Sequence, residues 1–482
     1  MKTATAFAAF WARLGPRALP FADAASPELP LPRLLRLSLF QVPVALALVL
    51  LNGTLNRVMI VELSVPASLV ALVIAIPVLF APLRALIGHR SDQYRSYLGW
   101  RRVPFLWLGS LVQFGGFAIM PFALLLLTEQ TLGPAWAGEA ATVLAFLLVG
   151  AGMHMIQTAG LALATDLAPE VDRPRVIALL YVTLLVGMVL AAWALGALLI
   201  EYTPVRLIQV VQGAALFTVV VNLIATWKQE PRQPQLTRPD RPQIPFGRAL
   251  ASYLADPGLR RILIALALGT VAFSMQDVLL EPYGAQVLAL GVAQTTQLTG
   301  VFAFGTLVAF AIAARRLQQG SNEFRLAGLS VVIGIAAFSL VIFAAPLGAG
   351  LAQPDVAVLL FVLGTLFIGM GAGLFSLSML FAVMHRCADS AQGFALGVWG
   401  AVQATALGIG LASGGVLRDV VSQLTAQGVL GDVLALPYIG YSFVYHCEVL
   451  LLFATAIAIG PLVRIAASRP YDDKFGLVDL PG

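Results

Sequence analysis

The sequence predicts an all-α integral membrane protein with twelve transmembrane helices, arranged as two pseudo-repeated six-helix bundles. Three observations predict it. Of the 482 residues, 59% are hydrophobic and only 11% are charged, whereas a soluble domain carries about 25% charged residues. Apolar runs near the bilayer-crossing length of about 20 residues recur along the whole chain. Finally, Lys and Arg alternate between the two sides that those runs define. If both termini share one side, 26 of the 29 basic residues fall there, leaving out Arg57, Arg206 and Arg418. That bias predicts both termini cytoplasmic.

Taken in order, the apolar runs place spans at 38–62, 66–88, 103–127, 140–165, 176–200 and 205–227, then at 261–283, 295–317, 326–346, 356–384, 393–417 and 438–464. The longest polar interruption, Lys228 to Asp256, is rich in Pro, Arg and Gln and reads as a linker between halves. The expected organisation is a cytoplasmic N-terminal segment over 1–33, a six-helix bundle over 34–227 and a cytoplasmic linker over 228–260. A second bundle over 261–464 and a cytoplasmic tail over 465–482 complete it. The fourth span ends in ALATDLAPEVDRPR and the tenth in AVMHRCADSAQG, each leading into a small-residue helix. Two echoing halves of six spans suit a transporter-type repeat.

The net charge of +5 is carried mostly by scattered arginines. It is too small and too dispersed for a nucleic-acid footprint, so no nucleic-acid partner is expected. Cys387 and Cys447 lack a CxxC neighbour, and neither a disulfide framework nor a zinc site is indicated. No phosphate-binding loop, nucleophile elbow or HExxH motif occurs. The expectation is a protein that binds, moves or assembles something in the membrane and is not an enzyme, with no catalytic residues.

Charges inside spans are costly, about 2.5–3.5 kcal/mol each on insertion scales, so those present attract notice. The first span holds Asn52, Asn56, Arg57 and Glu62, and the seventh holds Gln276, Asp277 and Glu281. These are the leading helices of the two halves. Sliding LNRVMIVEL along MQDVLLEPY sets Arg57 opposite Asp277. An intramembrane pair of Arg57 with Asp277 or Glu281 is therefore expected, against the alternative that Arg57 snorkels alone to the headgroups.

Of four histidines, His89 reads as solvated and His385 as a polar cap. His154 falls mid-way along the fourth span and His446 lies within the twelfth. An intramembrane imidazole can pair with a polar neighbour, carry protons or ligate a metal. Small residues recur at helical spacing in the eleventh span, from Gly393 through Gly400 to Gly415, and again in the tenth. Close helix packing is their ordinary role.

The loop from Leu83 to Arg102, LRALIGHRSDQYRSYLGWRR, joins the second and third spans. Its Gly88, Asp92, Arg95, Arg101 and Arg102 resemble the loop after the second span of the major facilitator superfamily, with the final arginines delayed by the insertion Gln93 to Leu98. More specific are Leu19 to Val42, Leu51 to Ala71, LFAPLRALIGHRSD and Leu98 to Leu125. These stretches resemble the PucC/LhaA family of purple phototrophic bacteria, known as bacteriochlorophyll delivery proteins.

That resemblance implies the major facilitator fold and a multi-pass place in the bacterial inner, intracytoplasmic membrane. It also implies work as an assembly factor for a light-harvesting antenna. The core light-harvesting 1 complex is favoured over light-harvesting 2, on the LhaA branch. Its implied cofactor is bacteriochlorophyll. The implied partners are the single-span light-harvesting alpha/beta polypeptides, the reaction centre–antenna core complex, bacteriochlorophyll biosynthesis enzymes and membrane lipids. A magnesium macrocycle accepts an axial imidazole, so His154, inside the central cavity, and His446, on the outer surface, are the candidate pigment ligands. No other metal site is expected. Two further readings stand beside this one: a proton-coupled secondary transporter of a small solute using Asp277 and Glu281, and a pigment-free scaffold for antenna helices.

Overall fold

A bilayer offers backbone N–H and C=O groups no water, so each crossing segment must satisfy them internally. The chain does so with helices throughout. The computed structural model describes residues 29–79, 100–127, 135–169, 172–231, 256–350, 353–385 and 392–467, and there is no strand among them. A short helix, α1 (Leu31–Ser38), leads into α2 (Gln41–Leu48), which continues as π-helix over Val49–Leu55 and Val58–Glu62. The first half is completed by α3 (Ala67–Leu79), α4 (Val103–Leu126), α5 (Ala135–Leu167), α6 (Arg173–Leu198) and α7 (Pro204–Thr226).

The second half opens with α8 (Pro257–Ser274), a 3₁₀ turn (Met275–Val278) and α9 (Leu280–Gln286), which together form one span. Then follow α10 (Val292–Gln318), α11 (Glu323–Gly350), α12 (Pro354–His385), α13 (Gln392–Ala426) and α14 (Ile439–Ala467). Eleven of these segments are long and apolar enough to cross a membrane, and α3 is a shorter apolar helix. The remainder of the expected second span lies outside the described residues.

Local chemistry explains the helix starts. Pro occupies the first turn of α4, α7 and α8, where its missing N–H costs nothing. The Thr203 hydroxyl accepts the Arg206 N–H at 3.1 Å, and an Asp256 carboxylate oxygen accepts the Gly258 N–H at 2.8 Å. Both are N-caps. Large apolar side chains such as Leu190, Leu450 and Ile457 face outward, as lipid-facing surfaces require.

The bundle has a terminal face, where α1 begins and α14 ends, and an opposite, distal face. Near the distal face the halves touch through α3 with α13 and α6 with α10. A Cβ on Gly415 of α13 would lie 2.5 Å from the Ala71 Cβ and 2.6 Å from the Ala67 carbonyl oxygen of α3. No larger residue fits there without moving a backbone, so this glycine is a packing residue. An Asp419 carboxylate oxygen accepts the Ser68 N–H at 2.7 Å, placing an acid of one half on the N-terminus of a helix of the other. Asp419 is held in turn by Arg418 at 2.8 Å, which also reaches Gln286 and lies over the Tyr441 ring.

Candidate functional site: a polar seam and a lipid-facing histidine

The first and seventh spans both depart from α-helix where the halves meet, and polar side chains explain the departures. In the first span, the Asn56 amide donates to the Asn52 carbonyl at 2.8 Å and to the Val278 carbonyl at 3.0 Å. That inserts a side chain into the backbone ladder and ties the span to the seventh. Thr54 and Thr296 share a hydrogen bond at 3.0 Å, tying it to α10. In the seventh span, the break around Met275–Val278 leaves the Gln276 N–H in need of an acceptor. Glu448 of α14 supplies it, at 2.7 Å.

Arg57 does not pair across the halves as the repeat alignment suggested. Its guanidinium bonds Glu62, five residues on in the same span. Five residues do not share a face on an α-helix, but π-helix closes i to i+5 and brings such residues together. The Leu63 N–H to Val58 carbonyl bond at 3.0 Å shows that spacing directly. The pair lies near the distal loop that holds Tyr202. The Tyr202 hydroxyl is pushed above the ordinary tyrosine range by burial and then by the Glu62 charge, with Arg57 opposing.

Asp277 and Glu281 are satisfied without a cation. Asp277 accepts from the Gln276 side chain, and Glu281 accepts the Thr299 hydroxyl at 2.5 Å. Among the described residues no ion pair reaches Asp277, Glu281 or Glu448. A second oxygen on each of Glu281 and Glu448 is buried without a hydrogen-bond partner, as is the Tyr445 hydroxyl. Gly53 of the π-helix makes the seam possible, because a Cβ there would lie 2.6 Å from the Thr299 hydroxyl. The acids are not a metal site: no group of three His, Cys, Asp or Glu among the described residues can hold an ion.

Glu448 and its neighbours are the site residues that sequence reading missed. The signal was present, since an acid stood in the apolar run SFVYHCEVL, but His446 took the attention. On α14 the two residues point apart. Tyr441, Tyr445, Glu448 and Leu452 are fully buried, whereas Phe443, His446, Leu450, Phe453 and Ile457 are exposed. The His446 Nδ1 lies 2.7 Å from the Ser442 carbonyl oxygen. A carbonyl oxygen only accepts, so in the neutral imidazole Nδ1 carries the proton and Nε2 keeps its lone pair. His154 differs in access: it is half-buried on α5, one turn beyond Gly150, which packs on Pro77 of α3.

Of the basic loop, Gly88, His89, Asp92 and Arg95 lie outside the described residues. Arg101 and Arg102 are described, and both reach Asp166 at the end of α5, at 3.5 and 2.9 Å. The Glu230 carboxylate accepts the N–H groups of Arg101, Arg102 and Val103 at 2.6–3.1 Å. It thereby caps the start of α4 from the first residues after α7.

Two helical halves of this kind, meeting at broken first helices, define a membrane protein of the major facilitator fold. Solved structures agree. A bacterial homologue of the lysosomal transporter Spinster matches with a TM-score of 0.68 over 92% of this chain and 98% of its own, at 15% identity. A bacterial homologue of the iron transporter ferroportin matches with a TM-score of 0.64 at 13% identity, over 91% and 99% of the two chains. At such identities the likeness is one of fold alone. Sequence makes the assignment specific: the PUCC protein family model matches residues 54–467, and the chain belongs to that family. It is 52% identical to an uncharacterized protein of the puhA-bchM intergenic region of Rhodobacter capsulatus, over 96% of this chain and 97% of that one. It is also 52% identical to Protein PucC of Rhodovulum sulfidophilum, over 85% and 90%, and 49% identical to Protein PucC of Rhodobacter capsulatus, over 94% and 97%.

Proposed function

We propose that this protein is an assembly factor for a light-harvesting antenna of purple bacteria, and that it delivers bacteriochlorophyll along its lipid-facing surface. It acts by binding, not by catalysis. Membership of the PUCC family supports the antenna role. The observation that carries pigment delivery is His446, whose Nε2 keeps a lone pair and whose side chain is exposed on the outer stripe of α14. The donor set fits the pigment: neutral imidazole is a suitable axial ligand for its magnesium, and the carbonyl bond at Nδ1 fixes the tautomer that offers Nε2. The pigment would supply only an open axial position. The chain's own residues do the rest: Ser442 orients the imidazole, and Phe443, Leu450 and Phe453 present an apolar ridge to a flat, lipid-soluble ligand.

Under this reading His446 is the main ligand and His154 a second, interior one. The partners are the light-harvesting alpha/beta polypeptides, with the reaction centre–antenna core complex and pigment-biosynthesis enzymes at either end of the handover. The core light-harvesting 1 complex is favoured, both termini face the cytoplasm, and the membrane is the bacterial inner membrane. The test is the near-infrared absorption of protein purified from pigmented cells. Wild type should carry a pigment band at near-stoichiometric level, His154→Leu should lose a smaller part of it and His446→Leu should lose most of it. An unchanged band in His446→Leu removes the surface ligand. Colourless protein that still captures antenna polypeptides leaves the pigment-free scaffold. A deletion strain that loses the peripheral band and keeps the core band reassigns the complex served.

A second reading, a proton-coupled transporter of a small solute, draws on the buried Glu281 and Glu448 and the half-buried Asp277, which are groups of the kind that line proton paths. Proton-driven uptake into vesicles, abolished by Glu281→Gln, would favour it.

A further inference from the structure

At the terminal face, away from the polar seam and from His446, lies an open cavity of about 490 Å³ lined by Pro32, Arg33, Arg36, Lys228, Gln229, Glu230 and Pro231. It is built by two short pieces of chain. The amphipathic helix α1 turns Leu34 and Leu37 into the core and presents Arg33 and Arg36 to the cavity. The residues just past α7 close the other wall. Arg33 staples the walls together, donating to the Gln229 side chain at 3.1 Å and to its carbonyl oxygen at 2.6 Å. Lys228 sits at φ +53°, a left-handed conformation that a lysine rarely adopts and that persists only where the surroundings enforce it.

The charges in this cavity are unbalanced. Glu230 is committed to the N–H groups that open α4. Among the described residues Arg36 has no hydrogen-bond or ion-pair partner, and its Nε is buried from solvent. Nor does Lys228, which is exposed, have a partner among the described residues. The cavity therefore presents positive charge that suits an anion.

The surroundings of the cavity indicate where the anion comes from. Trp227, next to Lys228, is 56% exposed. Trp107 donates to the Thr226 hydroxyl at 3.1 Å and stacks edge-on with Trp100 at 5.8 Å. A belt of tryptophans marks the headgroup level of a bilayer. Leu35, Leu223 and Ile224 are exposed beside the cavity, an apolar flank on which acyl chains can lie.

We propose that this cavity binds the phosphate of an anionic phospholipid, with Arg36 and Lys228 as its ligands and Arg33 as the residue that positions both walls. A zwitterionic headgroup fits poorly, since its ammonium would meet the same cations. The site is independent of the pigment reading and stands or falls separately.

The test uses the full chain, purified in detergent, stripped of lipid and titrated with dioleoyl phosphatidylglycerol under native mass spectrometry. One high-affinity phosphatidylglycerol is expected, with phosphatidylcholine binding weakly. Arg36→Gln and Lys228→Gln should each weaken it about fivefold, the effect of one basic group at an anionic surface, and the double variant should lose the site. Arg315→Gln/Arg316→Gln, which removes two exposed cations elsewhere on the same face, should bind as wild type does. Thermal stability of each variant confirms that it is folded. Equal phosphatidylglycerol binding by the folded double variant, or equal loss in the Arg315/Arg316 variant, overturns the proposal. Displacement of the lipid by millimolar inorganic phosphate assigns the site to a soluble anion and overturns the lipid source. Loss of antenna-polypeptide capture with lipid binding unchanged gives the cavity to an acidic protein segment instead.

Discussion

The first and seventh spans stand at matched positions in the two halves, and both break their α-helix where they cross. They handle charge in opposite ways. The first span keeps a cation and an anion within itself, because π-helix brings Arg57 to Glu62. The seventh span carries only anions, Asp277 and Glu281, and satisfies them with a neutral amide and a hydroxyl. Its broken backbone then recruits a third acid, Glu448, from α14. The pseudo-repeat conserves a place where the helix gives way, not a pattern of charge pairing. One broken helix becomes self-sufficient, and the other depends on neighbouring helices.

The largest effect should come from breaking the self-sufficient side. Glu62→Leu leaves Arg57 with an ionised side chain that is 7% exposed, whereas Glu62 itself is 36% exposed. Removing one partner of a fully buried pair costs about 3–5 kcal/mol, and partial exposure of Glu62 lowers the expectation to about 2 kcal/mol. The readout is thermal unfolding in detergent. The reversed pair Arg57→Glu/Glu62→Arg should recover part of the loss, and Arg57→Asp/Asp277→Arg should recover none. Rescue by the second pair alone would mean that the charges meet across the halves after all.

On the dependent side, shape and hydrogen bonding should matter more than charge. Glu448→Gln keeps an acceptor for the Gln276 N–H and should cost under about 1 kcal/mol. Glu448→Leu leaves that buried N–H unsatisfied, at a cost of about 1–3 kcal/mol. Equal losses in the two variants would show that the negative charge, not the acceptor, is what the broken helix needs.

The contrast also separates what was legible in the sequence from what was not. Eleven span positions follow from apolar run length, because lipid imposes it. The exposure of His446 followed from the periphery of the last span. The partner of Arg57 is not legible from repeat register, which sets it opposite Asp277, whereas the fold brings it to Glu62. The π-helix that decides the matter arises from the Asn52–Gly53–Asn56 cluster meeting Val278, a contact from 222 residues away. Glu448 was passed over because a solitary acid in a span shows its purpose only once the unpaired Gln276 N–H is seen beside it. Asp166, 64 residues on, is an acid that Arg102 reaches only through the fold.

The smallest expected effect lies where the two halves touch on the distal face. There Asp419 of α13 meets the N-terminus of α3, an arrangement in which a charge gains from the helix dipole as well as from the hydrogen bond to Ser68. Asp419→Asn keeps an oxygen for the Ser68 N–H and removes only the charge. The expected loss is about 0.3–1 kcal/mol, since Arg418 retains Gln286 and Tyr441 as partners. Because that interaction is screened by salt, the difference between wild type and Asp419→Asn should shrink as salt is raised. Asp419→Ala removes the acceptor too and should lose more at every salt concentration. If Asp419→Asn and Asp419→Ala match each other and neither responds to salt, the α3–α13 contact is held by Gly415 on Ala67 and Ala71. The acid would then be a bystander to a contact made by close packing.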